Sequence, residues 1–80
     1  MIITIEYCAG CHYTSRAVGL VEELLEAFEP GIKSLALIPS AGGAFEVTVN
    51  GKLLYSKLST RRHVEAGEVK DLVQKMLEEG

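Results

Sequence analysis

Tryptophan is absent from these 80 residues, and three Tyr and two Phe make up the whole aromatic content. A positive excess is missing as well. Eight Lys/Arg against eleven Asp/Glu leave a formal charge of −3, which gives no electrostatic footprint for nucleic acid. Only the short run "KLSTRRH", Lys57 to His63, is basic. No apolar stretch approaches the ~20 residues that a membrane helix needs, so no membrane partner is expected. The amino terminus, "MIITIEYC", lacks the basic start, long apolar core and cleavage site of a secretory signal. The expected compartment is therefore the cytoplasm, where structural disulfides are rare. There is no internal repeat and no low-complexity tract. Cysteine occurs only twice, and both copies fall in one short motif.

Nearly half of the residues are apolar, which fits a globular fold, and the length fits a single domain over 1–80 near the lower limit of what one core stabilises. "MIITIEY" is rich in β-branched residues and predicts a strand. From Thr14 to Glu29, Ala17, Leu20, Val21, Leu24, Leu25 and Phe28 recur at helical spacing, and "EPG" ends the run. "KSLALI" predicts a second strand, closed by Pro39. "AFEVTV" alternates, with Phe45, Val47 and Val49 on one face. Asn50-Gly51 then predicts a type I′ hairpin turn into "KLLYSK". A polar loop follows, and "EVKDLVQKMLEE" places Val69, Leu72, Val73, Met76 and Leu77 on one helical stripe. The expected order is β-α-β-β-β-α. The first two strands should be parallel, joined by a right-handed crossover, and the hairpin should be antiparallel. Four mixed strands with two packed helices make a small α/β sandwich.

The stretch "EYCAGCHY" holds Cys8 and Cys11 as Cys-x-x-Cys, with His12 directly behind. Cys8 falls where the first strand ends and Cys11 where the first helix is expected to begin. A helix start offers unpaired N–H groups and the positive end of the macrodipole, both of which favour a thiolate. Two intervening residues bring the sulfurs within bonding reach, and small Ala9 and Gly10 leave room for a bulky disulfide partner. The expected cycle is thiolate attack, a mixed disulfide, then resolution by the second cysteine. "CAGCH" also satisfies the c-type haem attachment pattern, but haem attachment normally follows export and no residue stands out as second axial ligand. A closed zinc site takes four ligands, and Cys8, Cys11, His12 and His63 would exhaust the supply, with adjacent Cys11 and His12 diverging. No metal is therefore expected. Two buried, inert thiols are the plain alternative.

These stretches, "YCAGCHY" with its following helix, "GGAFEVTVNGKLLYSK" and the closing amphipathic helix, together resemble the selenoprotein W-like (Rdx) family, over about Ile3 to Leu77. The resemblance implies a thioredoxin-like fold and a redox protein that is glutathione-linked, with glutathione as co-substrate, or otherwise thiol-dependent, and has no tightly bound cofactor. Many family members carry selenocysteine at the second position of the motif, which is Cys11 here, and this points to Cys11 as a rival for the attacking role. Thioredoxin-like geometry makes the first, more exposed cysteine the attacking one, and on that ground Cys8 is expected to attack and Cys11 to resolve. Thioredoxins proper place a cis-proline before the strand that ends in Asn-Gly; this chain has Gly43 there, and Pro39 lies four residues too early. The backbone at Gly42-Gly43 is free to approach a peptide-like partner.

Around the motif, His12 has a pKa near neutrality and is a candidate for stabilising a thiolate. Tyr7 and Tyr13 flank the pair and are candidate walls of the site. Glu6 shares strand parity with Cys8, as a proton relay or a plain surface carboxylate. Arg61, Arg62 and His63 are the one cationic cluster. They suit the carboxylates of glutathione, although nothing in the sequence places them beside Cys8. The leading reading is a thiol–disulfide oxidoreductase acting on thiol or disulfide substrates, glutathione or a client protein. The alternative is a redox-sensitive interaction module without turnover. The oligomeric state is not encoded in any recognisable pattern.

Overall fold

A computed structural model describes residues 1–79. The first strand, β1, runs over Ile2–Cys8 and alternates as its composition demands: Ile3, Ile5 and Tyr7 point into the core, while Thr4 and Glu6 are only half-buried. Helix α1, Thr14–Phe28, buries Ala17, Leu20, Leu24 and Phe28. It stops where expected, at a single 3-10 turn over Glu29–Gly31 that contains Pro30. The next strand, β2, spans Ser34–Ser40 and pairs in parallel with β1. Pro39 does not close this strand, as the sequence suggested, but sits inside it opposite Tyr7. The sheet order β2-β1-β3-β4 makes β2 an edge, and an edge strand tolerates a residue without an N–H.

Strands β3, Phe45–Val49, and β4, Lys52–Ser56, form the hairpin, with β3 antiparallel to both β1 and β4. Asn50 and Gly51 have φ of 52° and 82°, the two positive values a type I′ turn requires. The turn is also tied to β1. The Ile2 amide donates to the Asn50 side-chain oxygen and the Asn50 amide donates to the Ile2 carbonyl, each at 2.8 Å.

One correction to the expected order follows β4. A one-turn helix, α2, occupies Lys57–Thr60, where the end of the KLLYSK strand and a polar loop were expected, so the described residues form three helices rather than two. The Ser56 side chain caps it by accepting from the Ser59 amide at 3.0 Å. The last helix, α3, covers Glu68–Glu79 and buries Val69 and Val73.

Helices α1 and α3 share one core with the inward residues of β1, β3 and β4, including Phe45, Val47, Val49 and Tyr55. The mixed sheet with helices packed on it is the thioredoxin-like plan. Its consequence for function is positional: β1 is central, and its last residue is Cys8.

Leu24 is fully buried at the middle of α1. Leu24→Ala should cost about 3 kcal/mol through lost transfer energy and the cavity left behind. Leu53 is 54% exposed, so Leu53→Ala should change stability by no more than about 0.5 kcal/mol. Urea unfolding of both variants measures the difference.

Candidate redox site

Cys8 is held from both sides by the sheet. It is in register with Ser40 of β2, and its amide donates to the Ala44 carbonyl at 2.8 Å, just ahead of β3. Ala44 is buried, and the chain reaches it through Gly42 and Gly43, whose φ values of 72° and 77° suit glycine. The Gly42-Gly43 turn therefore lies beside the motif, as the hairpin alignment suggested, and no cis peptide occurs among the described residues. Ser40 and Ala44 carried no signal in the sequence, because each is placed by strand register.

After Cys8 the chain makes one 3-10 turn over Ala9–Cys11. Cys8 and Cys11 are joined as a disulfide with Cα atoms 5.3 Å apart, inside the range that the bond requires. His12 follows in the left-handed conformation, φ 63°, and is exposed; α1 begins only at Thr14. The strand-to-helix junction is as expected, but Cys11 is not in the first turn of the helix. The macrodipole effect decays within that turn, so it gives Cys11 less support than the sequence reading assumed.

The order of access is also reversed. Cys8 is 3% exposed, whereas Cys11 is half-buried on a turn whose Ala9 and Gly10 are open to solvent. Tyr7 is a core residue beside Cys8 rather than a wall of an open site. Glu6 lies on the sheet face away from the helices, opposite Glu46 of β3. Glu46 has a structural task that sequence reading missed. Its carboxylate accepts the Ser56 hydroxyl and the Lys57 amide, the latter at 2.8 Å, and so anchors α2 to the sheet. Among the described residues, no three His, Cys, Asp or Glu side chains gather as a metal ligand set.

The basic run proves to be next to the motif. Tyr13, two residues beyond Cys11, meets His63 edge-to-face with ring centroids 5.0 Å apart. The Lys57 ammonium lies 5.5 Å from the Tyr13 ring centre, a cation–π arrangement. Burial, then repulsion from Arg16 and Lys57, pushes the His63 pKa below its ordinary value. What holds His63 there is Arg62. Its guanidinium grips Glu68 at the start of α3 through two bonds of 2.7 and 2.5 Å, and its carbonyl accepts the Tyr55 hydroxyl. The Glu65 amide adds a bond to Glu68 at 3.0 Å. Arg61, by contrast, ends α2 in the left-handed region and is exposed.

The geometry has counterparts among known proteins. A family model described as the Rdx family matches residues 2–75. Migration and invasion enhancer 1 of Bos taurus and of Mus musculus are each 36% identical over 56 residues, covering 70% of this chain and 47% of theirs. The chain thus spans about half the length of the curated relatives it matches. Among solved structures, a selenoprotein W-related protein from Vibrio cholerae superposes with a TM-score of 0.87 at 33% identity, over 94% of each chain. A protein from Bordetella parapertussis gives 0.87 at 32% identity, over 94% of this chain and 95% of its own.

The Arg62 clamp sets a pH dependence. The hydrogen bond from Arg62, then that from the Glu65 amide, holds the Glu68 carboxyl down to about 2, against an ordinary 4.5. Because the folded value is the lower one, the clamp contributes fully above pH 4.5 and is lost as pH falls toward about 2. In an NMR titration, the His63–Tyr13 contact should loosen across that window. In Glu68→Gln it should already be loose at pH 7, with no further change in that range.

Proposed function

The chain belongs to the Rdx family, the selenoprotein W-related group, and from this premise we propose that Cys8 and Cys11 form the working centre of a cytoplasmic thiol–disulfide oxidoreductase. The observation that carries this reading is the disulfide itself, formed between a buried strand-end cysteine and an accessible turn cysteine. Access, and not the helix dipole, then assigns the roles. In the reduced protein the Cys11 thiolate attacks a substrate disulfide R–S–S–R′. A Cys11–S–S–R bond forms and R′S⁻ leaves. The Cys8 thiolate next attacks the Cys11 sulfur, which releases RS⁻ and closes the internal disulfide. Two electrons pass from the dithiol to the substrate. Two external thiols, with glutathione the proposed source, then reduce the protein and restore it.

This assignment replaces the expectation that Cys8 attacks. A sulfur at 3% exposure is poorly placed to meet a bulky disulfide, yet it is well placed to meet a neighbour three residues away. It also agrees with the second position of the motif, where the family resemblance puts selenium. Ala9 and Gly10, exposed and small, leave the approach to Cys11 open.

Trapping separates the two cysteines. Cys8→Ser should accumulate a mixed adduct through Cys11 when offered a disulfide, because attack proceeds and resolution cannot. Cys11→Ser should react far more slowly. Mass spectrometry of the adducts decides it, and a stable adduct formed mainly through Cys8 contradicts the assignment. Sustained turnover with glutathione or a reductase supports catalysis. Redox-dependent partner capture with no turnover would instead make the chain a redox-sensitive interaction module.

A further inference from the structure

A groove of about 340 Å³ runs along α1 and begins at Arg16, five residues after Cys11 in the chain. Gly19 forms part of its floor; a Cβ there would meet nothing within 4 Å, so the groove is open above the helix backbone. Leu20 and Val64 give it apolar flanks, and Ala66 and the carboxylate-bearing Glu65 complete its lining opposite α1, so that Glu65 adds to the demand for a basic group in the occupant. Its two ends carry opposite charge. At the end toward the motif stands Arg16, close enough to His63 to depress its pKa, with Lys57 over the neighbouring Tyr13 ring. Neither Arg16 nor Lys57 has an ion-pair partner among the described residues, in a chain whose net charge is negative. At the other end stands Glu23, one of whose carboxylate oxygens is shielded from solvent without a hydrogen-bond partner among the described residues. A shielded acceptor of this kind is stabilised by any donor that reaches it.

The spacing of these ends fits a particular kind of ligand. Seven residues of helix separate Arg16 from Glu23, a rise of about 10 Å at 1.5 Å per residue. An extended polypeptide covers that distance in about three residues at 3.3–3.6 Å each. A small ligand would be expected to favour an enclosed, mostly apolar cleft, whereas an open trough with charged ends suits an extended chain. We propose that this groove seats the polypeptide on which the Cys8–Cys11 pair acts, its acidic residue at the Arg16–Lys57–His63 end and a lysine or arginine about three residues away on Glu23. The proposal rests on the thiol–disulfide reading above and names the substrate class as a protein segment of that charge pattern. Tyr13 lies between Cys11 and Arg16 in the chain, and its ring meets His63, the residue just before Val64 of the groove.

Binding and chemistry can be read separately. The oxidised protein is titrated, with amide chemical shifts as readout, with a cysteine-free decapeptide carrying aspartate and lysine three residues apart, and with the same peptide with those charges exchanged. Shifts centred on Gly19, Val64 and Ala66, and tighter binding of the first peptide, are expected. Glu23→Gln should weaken binding of the lysine peptide about tenfold, the loss expected for a hydrogen bond to a charged group, but leave a norleucine version unaffected. Equal affinity for the two charge orders, shifts elsewhere on the surface, or no binding overturns the groove. A parallel assay of the unmodified protein on a small neutral disulfide tests the chemistry alone. Turnover of that disulfide without peptide binding overturns the groove and leaves the redox reading standing. Peptide binding without any turnover supports the groove and overturns the redox reading.

Discussion

The backbone of Cys8 is fixed by the sheet, and the site is built outward from that fixed point. Its residue pairs in register with Ser40 on one side, and its amide reaches the Ala44 carbonyl on the other. An unpaired buried amide would cost about 1–3 kcal/mol, so this bond helps select the path of the turn through Gly42 and Gly43. From Cys8 outward, a single 3-10 turn determines where Cys11 stands. The central strand thus supplies a stationary, buried sulfur, and the turn supplies a reachable one.

That asymmetry replaces the helix dipole as the physical basis of the proposed chemistry. A thiolate three residues before α1, with left-handed His12 between, draws little from the first-turn field. Access and proximity remain, and they act on different sulfurs. Cys11 meets the outside, while Cys8 waits 5.3 Å away between Cα atoms and needs no rearrangement of the sheet to close the bond. The clamp of Arg62 on Glu68 holds the His63 ring against Tyr13, whose ring also meets the Lys57 ammonium. It couples α3, which has no part in the Cys-x-x-Cys motif, to the surroundings of the reacting pair.

Much of this was legible in the residues because the signals were local. The alternation of Phe45, Val47 and Val49, the positive φ demanded by Asn50-Gly51 and the apolar stripe of α1 each depend on neighbours in the chain. What escaped depended on tertiary position. Pro39 reads as a strand breaker until β2 is known to be an edge. Cys8 reads as the exposed cysteine until Ser40 and Ala44 are seen to enclose its strand. The cationic run reads as a solvated loop, since its contact with Tyr13 requires Glu68 to arrive from another helix. Glu46 gave no hint of its role, because the Ser56 hydroxyl and Lys57 amide it accepts from lie ten and eleven residues away in the chain. Ser56 and Ser59, spaced as a helix start, were the one available clue to α2.

The division of labour between the two sulfurs is tested most directly by pulse alkylation. The fully reduced protein is exposed to a limiting pulse of iodoacetamide at neutral pH, and the modified cysteine is identified by peptide mapping. Cys11 should be labelled first, with Cys8 protected until the fold is denatured. Equal labelling, or Cys8 ahead of Cys11, would contradict a buried resolving sulfur anchored at the end of β1.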